Sequence, residues 1–124
     1  MSRITTARTG LETAARAVLK AGLDAVSPEM SIAGAVGRSG DIISVQGEPY
    51  DLSRFEHVYL IAAGKAAAGM GRAMAAILGG SLSEGLIVVP RGGGPGPEGM
   101  RRMEAAHPLP DRSSVAAAEA VMDL

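Results

Sequence analysis

The sequence predicts an α/β fold in which a parallel sheet is flanked by helices. Two near-continuous apolar runs, residues 57–61 and 85–89, have the length and composition of buried strands. An Ala- and Met-rich segment of helical character, residues 66–78, lies between them. Strand, helix and strand over about thirty residues is the pattern of a βαβ unit with parallel strands.

Two helices are predicted before the sheet. Residues 9–27 place apolar side chains on one face at helical spacing and charged side chains on the opposite face. Ser27, Pro28 and Glu29 then favour a second helix start, because serine caps helices, proline suits the first helical position and an acid favours the first turn. This second helix is expected to end near Gly37.

A small hairpin is predicted between these helices and the main sheet. Residues 42–45 are typical of a strand, residues 46–49 of a turn and residues 50–52 of a short return strand. The central strand of the main sheet is expected at residues 58–62. The helix that follows it is expected to stop at the glycine pair 79–80, because glycine ends helices readily.

The last third of the chain is predicted to be a loop, a short strand and a helix. Residues 91–99 contain five Gly and two Pro, which predicts a loop long enough to be mobile or functional. A third strand is expected at residues 103–106. The two prolines that follow predict a stiff, extended segment, after which Asp111 or Ser113 caps a final helix.

Two or three parallel strands with exposed edges do not make a well-closed domain. The chain is therefore expected to be an incomplete part of a longer protein. Self-association of the isolated chain through those edges is a further expectation.

The composition excludes several classes of function. The 124 residues include no Cys, which excludes a disulfide framework, a thiolate metal site and a cysteine nucleophile. A net charge of −1 without a basic cluster argues against a nucleic-acid partner. The N-terminus is polar and no apolar run approaches the ~20 residues of a membrane span, so a cytoplasmic protein is expected. The two His are fifty residues apart, and no metal site is predicted.

The junction after the first apolar strand carries the strongest chemical signal. Gly64 and Lys65 stand between a strand and a helix, at the position where ligands bind in open α/β sheets. Backbone N–H groups at a helix start attract anions, and the Lys65 ammonium adds a full charge. A lysine in the first turn opposes the helix dipole by roughly 0.3–1 kcal/mol, which an anionic ligand would reverse. The alternative interpretation is a structural glycine beside a solvated lysine.

This junction matches neither standard nucleotide-binding motif. A Walker loop needs a glycine five residues before the Gly-Lys pair and Ser or Thr after it, where this chain has Tyr59 and Ala66. Gly64, Gly69 and Gly71 do not supply the glycine order of the dinucleotide fingerprint. An anion site at this turn would therefore be of another kind.

Three further positions are weaker candidates. Arg91 and the glycines after it follow the second strand, where backbone amides can meet an anion, although a flexible surface loop is at least as good an explanation. His107 lies in a proline-flanked segment, and a hydrogen-bonded scaffold role is its simpler explanation. Asp111 is most simply a helix N-cap, a role that is compatible with a ligand contact.

Three segments in order resemble the N-terminal domain of the class II glycerate 2-kinases, the MOFRL-type glycerate kinases that are often mislabelled as hydroxypyruvate reductases. They are residues 61–70 (IAAGKAAAGM), 84–89 (EGLIVV) and 104–111 (EAAHPLPD). The resemblance implies a Rossmann-like N-terminal domain, a second domain and an active site in the cleft between them. Residues 1–124 would be an incomplete N-terminal domain that lacks the family's Ser-Gly-Gly-Gly-Ser loop and its C-terminal MOFRL domain.

The resemblance also implies an activity, the phosphorylation of D-glycerate by ATP, with Mg²⁺, to give 2-phosphoglycerate. Lys65 is the implied catalytic residue, which would hold the substrate carboxylate or the transferring phosphate. The other candidate site residues are Gly64, His107 and Asp111 for the substrate and Arg91, Gly92 and Gly93 for the nucleotide. Ala106 replaces the family's glycine before the His-Pro pair, a mild departure.

Two alternatives stay open at this point. An oxidoreductase or a sugar-phosphate-binding domain would use the same strand–glycine–helix turn, although the missing dinucleotide fingerprint disfavours it. A truncated, non-catalytic domain would serve only as an interaction surface. Phosphoryl transfer depends on positioning and charge neutralisation. The isolated chain is therefore expected to be inactive, because it supplies only part of a cleft.

Overall fold

Two separate three-stranded sheets organise the chain. The computed structural model describes residues 2–124, with side chains from Thr9 onward. The antiparallel sheet has the order β1-β2-β3, and the parallel sheet has the order β4-β5-β6. The strands are β1 Val36–Ser39, β2 Ile42–Val45, β3 Glu48–Asp51, β4 Tyr59–Ala63, β5 Glu84–Pro90 and β6 Arg101–Ala105.

Four α-helices accompany the sheets within the described residues. They are α1 Ser2–Ala25, α2 Pro28–Ala35, α3 Ala67–Leu78 and α4 Arg112–Met122, and short 3-10 turns follow β3 and α3. The predicted βαβ unit is confirmed, because β4 and β5 are parallel and α3 connects them. The predicted third strand is confirmed as β6, which pairs parallel to β5.

Local capping chemistry defines the helix ends as the sequence predicts. The Ser27 side chain accepts a hydrogen bond from the Met30 N–H at 3.2 Å, and Pro28 occupies the first position of α2. At the C-terminal end of α3, Gly79 has a positive φ of 50°, which favours glycine. These two boundaries therefore follow from residues within one turn of each helix end.

The antiparallel sheet has one strand more than predicted. β1 starts directly after α2, which ends at Ala35 rather than near Gly37, and Val36 lies opposite Val45 of β2. Residues 36–39 show no alternation of apolar and polar side chains, the usual mark of a half-buried strand. The strand forms because it pairs with the edge of β2. The pattern of apolar residues within a single segment cannot predict such pairing with another segment.

Arg38 fastens the antiparallel sheet to the end of α3. Its guanidinium donates hydrogen bonds to the carbonyl oxygens of Ile77, at 2.9 Å, and Leu78, and to Ser81 Oγ at 2.9 Å. The last carbonyls of a helix have no intrahelical partner and carry the negative end of the helix dipole. One exposed arginine therefore provides partners for these carbonyls and joins two parts of the fold.

The main core lies between α3 and the parallel sheet. Ala67 and Ala68 pack against Ile87 and Val89, and all four side chains are buried. Small residues let α3 approach closely, because a Cβ added at Gly71 would lie 2.5 Å from Ile87 Cδ1. The Ala- and Gly-rich helix thus replaces bulky packing with a short distance between helix and sheet.

The central strand of the parallel sheet is β5, so the prediction that residues 58–62 form the central strand is wrong. Among the described residues, β4 pairs only with β5 and lies at the sheet edge. Tyr59 and Ile61 of β4 are 47% and 49% exposed. Both runs are apolar, and hydrophobicity alone does not tell a buried middle strand from an edge strand.

The Gly- and Pro-rich segment 91–99 connects β5 to β6 across the face that α3 covers. Arg72 of α3 donates to the Pro95 carbonyl at 2.6 Å. Arg102 of β6 donates to the carbonyls of Gly93 at 2.8 Å and Gly94 at 3.2 Å. Hydrogen bonds from a charged donor are stronger than neutral ones, and three of them hold this loop where a crossover helix usually lies.

α4 covers the opposite face of the parallel sheet. Side chains alternate along a strand, so Val88 faces away from Val89 and from α3. Val88 shares an apolar groove with Ala63 of β4 and with Ala117 and Val121 of α4. Helices therefore flank both faces of the sheet, as predicted.

α1 presents its apolar stripe outward. The predicted amphipathic helix is present, beginning at Ser2 and ending at Ala25 rather than at residues 9 and 27. Leu11, Val18, Leu19 and Leu23 are between 62% and 74% exposed. The stripe thus contributes little to the core formed by the described residues.

Gly69 sets the distance between α2 and α3 and gives a test of the packing. A Cβ at Gly69 would lie 2.9 Å from Pro28 Cβ and 2.7 Å from Glu29 Oε1. We expect Gly69→Ala to reduce the free energy of unfolding by about 1–3 kcal/mol, because the start of α2 must move. Denaturant unfolding measures the difference.

Gly34→Ala is the matched control for this substitution. A Cβ at Gly34 meets no atom within 4 Å, and the residue is inside α2. We expect Gly34→Ala to be neutral or to stabilise the protein by up to about 1 kcal/mol. Equal stability of the two variants would contradict the close packing of α2 on α3.

Candidate functional site

Gly64 reverses the chain at the carboxyl end of β4. Its φ of 111° lies in a region that side-chain-bearing residues avoid. Its N–H donates to the Val88 carbonyl at 2.9 Å, and its carbonyl accepts from the Ala67 N–H at 3.2 Å. These two bonds tie the turn to β5 and to α3, so Lys65 occupies a defined position between strand and helix.

The N-terminus of α3 next to this turn has no side-chain cap. Its N-cap residue, Ala66, provides no hydrogen-bonding side chain, and the first turn of the helix contains no acid. The first N–H groups of a helix lack intrahelical partners and carry the positive end of its dipole. Lys65 therefore adds its charge to a helix end that is already electropositive.

A cleft of about 370 Å³ opens at the carboxyl ends of the three parallel strands. Its lining is Gly64, Lys65, Val88, Val89, Pro90, Ala105 and His107. The structure thus brings Gly64, Lys65 and His107 together, although His107 is forty-two residues beyond Lys65 in the sequence. The location agrees with the rule that ligands bind outside the carboxyl ends of strands in open α/β sheets.

The two polar side chains of this cleft, those of Lys65 and His107, are unpaired among the described side chains. Within the part of the chain whose side chains are described, Lys65 and His107 make no ion pair and no side-chain hydrogen bond. Both residues are exposed. An ammonium and an imidazole are therefore available to a ligand at the mouth of an otherwise apolar cleft.

The segment around His107 bends, so the prediction of an extended segment is wrong. Residues 107–109 form a bend, and the peptide bond between His107 and Pro108 is cis. The Ala106 N–H donates to Ser113 Oγ at 3.1 Å, which fixes the end of β6 against the start of α4. Proline restricts its predecessor, but it does not dictate the direction in which the chain leaves the strand.

Asp111 and Arg91 form an ion pair beside the cleft, with 2.5 Å between Oδ2 and the guanidinium. Asp111 is the N-cap of α4, as predicted, and its Oδ1 accepts from the Ser113 N–H at 2.8 Å. Its own N–H donates to Ser114 Oγ, which completes a capping box. The pair links the end of β5 to the start of α4, and neither residue is part of the cleft lining.

The hydrogen bonds of this cap favour the charged form of Asp111. They hold its pKa below the ordinary value of 3.8, first through the Ser113 hydroxyl, then through the Ser113 N–H, with a further contribution from the Arg91 charge. The carboxylate is solvent-exposed, and it is ionised at neutral pH.

Backbone geometry accounts for the two glycines after Arg91. Gly92 has φ 73°, which favours glycine. A Cβ at Gly93 would lie 2.8 Å from the Pro90 carbonyl oxygen, and the Gly93 N–H already donates to that oxygen at 2.8 Å. The Gly93 N–H is thus engaged within the turn, and the pair lies outside the cleft lining.

Two further features bear on the class of protein. Among the described residues, no three His, Asp or Glu side chains are grouped so that they could hold a metal ion. A search of the same residues finds no helix with the length and hydrophobicity needed to cross a membrane.

Comparison with known proteins assigns the family. The family whose description is "domain of unknown function (DUF4147)" matches residues 14–124. The chain belongs to this family. The DUF4147 match and the named relatives below confirm the resemblance, seen in the sequence, to the N-terminal part of class II glycerate kinases.

Two relatives of the DUF4147 chain carry functional names. A glycerate 2-kinase of Pyrococcus horikoshii is 34% identical over 102 residues, which cover 82% of this chain and 22% of that protein. A glycerate kinase of Danio rerio is 34% identical over 128 residues, covering 92% of this chain and 25% of that protein. The chain spans about a quarter of the length of these relatives.

Two crystal structures share the fold. A protein of Pyrococcus horikoshii OT3 matches with a TM-score of 0.76 and 31% identity, over 91% of this chain and 25% of that one. A glycerate kinase of Thermotoga maritima matches with a TM-score of 0.66 and 24% identity, over 93% of this chain and 25% of that one. The predicted fold class, a parallel sheet flanked by helices, is confirmed.

The cap at Asp111 predicts a dependence of stability on pH. A carboxyl whose pKa is lowered by folding stabilises the folded state above its ordinary pKa of 3.8, and this stabilisation is lost as the pH falls through the lowered value. We expect Asp111→Asn, which keeps an acceptor oxygen but no charge, to flatten the loss of stability between about pH 5 and pH 2. Denaturant unfolding across that range measures it.

Asp41→Asn is the control, because the Asp41 side chain has no hydrogen bond or ion pair among the described residues. The control should keep the acid dependence of the unsubstituted protein. The same acid dependence in Asp111→Asn would contradict the role of the Asp111 carboxylate.

Proposed function

We propose that this chain forms the lysine-bearing wall of the active site in an ATP-dependent glycerate 2-kinase. The reaction is transfer of the ATP γ-phosphoryl group to the 2-hydroxyl of D-glycerate, which gives 2-phosphoglycerate. The observation that carries the proposal is the position of Lys65, an uncommitted cation in a cleft at the ends of three parallel strands. The names of the two relatives, glycerate 2-kinase and glycerate kinase, support the reaction class.

Charge neutralisation is the chemistry that Lys65 would provide. The glycerate carboxylate and the γ-phosphate are both anionic and must approach each other before transfer. Most of the catalytic effect in phosphoryl transfer comes from positioning and from stabilising charge. An ammonium beside the uncapped start of α3 would add its charge to the positive end of the helix dipole, at a cleft whose lining includes Val88 and Val89.

The substrate side of the site would include Gly64, His107 and Asp111. Gly64 gives the turn its shape and brings the backbone close to the ligand without a side chain. The His107 imidazole can hydrogen-bond a hydroxyl or carboxylate of glycerate. Asp111 acts chiefly as a positioning residue, because its cap and the Ser113 bond to Ala106 hold the His107 segment in place.

The nucleotide side would include Arg91, with Gly92 and Gly93 shaping its turn. Arg91 is paired with Asp111, and their side chains are 65% and 41% exposed. Exposed ion pairs contribute little to stability, so a phosphate group could replace the Asp111 carboxylate as the partner of Arg91. A guanidinium binds phosphate oxygens well because its donors match their geometry.

The complete enzyme would also use Mg²⁺, which in a kinase neutralises the nucleotide phosphates. Mg²⁺ is usually held by one or two carboxylates together with substrate phosphates, and the described residues contain no group of three His, Asp or Glu side chains that would hold a metal ion by themselves. The rest of the proposal is a cytoplasmic enzyme for small anionic substrates, without a nucleic-acid or membrane partner.

Lys65→Ala in the complete enzyme tests the proposal. We expect kcat/KM for glycerate to fall by about a hundredfold or more while the fold survives, because the lost charge acts on the transition state. Lys20→Ala is the control, since Lys20 lies on α1 and its partner among the described side chains is Asp24, and it should leave kcat/KM unchanged. Near-normal kinetics in Lys65→Ala would remove Lys65 from the mechanism.

The isolated residues 1–124 give a second test. We expect the purified chain to show no turnover of ATP and D-glycerate in a coupled assay, because it spans about a quarter of its relatives and forms one wall of the cleft. The complete enzyme at the same concentration is the positive control. Robust turnover by the short chain would refute the proposed division of the active site.

A further inference from the structure

We propose that α1 docks on the α1 of a second copy of this chain, with the two helices antiparallel and their apolar stripes face to face. The stripe consists of the exposed apolar side chains on one face of α1 and of the turn after it, Leu11, Val18, Leu19, Leu23 and Val26. None of these residues lines the cleft at Lys65. The proposal therefore does not depend on the reaction that the cleft catalyses.

The stripe has no partner of its own in the fold. α1 makes no extensive contact with another helix or strand among the described residues, and the five side chains of the stripe are 62–74% exposed. Helices in proteins gain most of their stability from packing an apolar face, and large exposed apolar patches mark interaction sites. The stripe therefore indicates an interface.

The order of residues along the stripe points to a second copy as the partner. In a twofold pair of antiparallel helices, the same patch must be complementary to itself, so that residue i lies level with residue j and j with i. We place the twofold axis between positions 18 and 19. The level pairs on the stripe are then Leu11 with Val26, Ala14 with Leu23, Ala15 with Gly22 and Val18 with Leu19. Every apolar position thus meets an apolar or small one in this register.

The charged residues of α1 are compatible with the same register. Those with described side chains are Glu12, Arg16, Lys20 and Asp24, which lie level with Ala25, Ala21, Ala17 and Thr13 of the second copy. No charge in this part of the helix therefore lies level with a like charge, a juxtaposition that would destabilise the pair.

A lipid surface fits the stripe less well. Helices that lie on membranes use Trp, Phe or Leu on the apolar face and concentrate Lys and Arg on the polar face. α1 contains no aromatic residue, and its polar face includes the acids Glu12 and Asp24. The helix therefore matches a second protein helix better than a membrane.

The area of the stripe sets the strength expected of the dimer. Pairing of two stripes would bury on the order of 1,000 Å² in total, which is near the lower limit for a specific interface. Interfaces of this size belong to weak or transient complexes. The dimer should therefore form at micromolar concentrations and dissociate on dilution.

Light scattering of the protein over a range of micromolar concentrations tests the proposal. We expect the mass to rise from monomer to dimer, and Leu19→Glu to raise the dissociation constant by at least about tenfold, because pairing would bury a charge. Leu19 is 64% exposed, so the folded chain should tolerate the change. Met122→Glu is the matched control, since Met122 is 84% exposed at the end of α4, and it should leave the dimer unchanged.

Engineered cysteines test the direction of the helices, because this chain has no Cys of its own. Two copies of Leu19→Cys would lie within one residue of the axis, and they should form an intermolecular disulfide under mild oxidation. Two copies of Leu11→Cys would be separated by about 22 Å along the helices, well beyond the ~7 Å between Cα atoms that a disulfide spans. They should not cross-link, whereas parallel helices would cross-link at both positions.

Four results would overturn the proposal. A monomer at every concentration would mean that no second copy covers the stripe. A dimer that persists in Leu19→Glu would locate the contact on another surface, such as the edge of β4. Cross-linking of Leu11→Cys as readily as Leu19→Cys would exclude the antiparallel register. Binding to phosphatidylserine-containing vesicles that Leu19→Glu abolishes would assign the stripe to lipid.

Discussion

The backbone conformation of Gly64 is the constraint on which the cleft depends. With φ at 111°, the chain leaves β4 and enters α3 within three residues, and its N–H and C=O hold the turn to β5 and to the helix. A side chain at this position would strain that conformation. The turn places Lys65 at the sheet edge, and it also sets the start of α3, so that Ala67 and Ala68 rest on the sheet.

Hydrogen bonds from arginine side chains, rather than packed aromatic rings, join several parts of this fold. The chain has only two Tyr and one Phe, and both tyrosines and the phenylalanine are about half exposed. Arg38, Arg72 and Arg102 instead bind backbone carbonyls and hold the antiparallel sheet, the 91–99 loop and β6 to their neighbours. Each guanidinium reaches several acceptors at once, which a lysine cannot match in geometry.

The local sequence predicts where most helices and strands lie, but it does not predict which segments pair or pack with one another. The helix ends at Ser27, Gly79 and Asp111 are predictable from the sequence, because each depends on residues within one helical turn. β1, the edge position of β4 and the Arg38 contacts were not readable, since each depends on segments brought together only by the fold. Within the site, Lys65 and His107 line the same cleft because the carboxyl ends of parallel strands share one edge of the sheet. The ion pair between Arg91 and Asp111, twenty residues apart, is not indicated by any pattern in the sequence.

The N-termini of α3 and α4, which lie beside the cleft, differ in how the positive end of the helix dipole is compensated. α3 begins with an uncapped terminus beside an ammonium, whereas the start of α4 is neutralised by the Asp111 carboxylate, and a loop rather than a helix follows β5. The positive end of the α3 dipole and the Lys65 ammonium therefore lie together at the β4 side of the cleft, with no acidic partner among the described side chains. At the start of α4 the Asp111 carboxylate already occupies the helix end and pairs with Arg91, so an anion arriving there would have to displace it. An anion at the start of α3 would meet no such competitor.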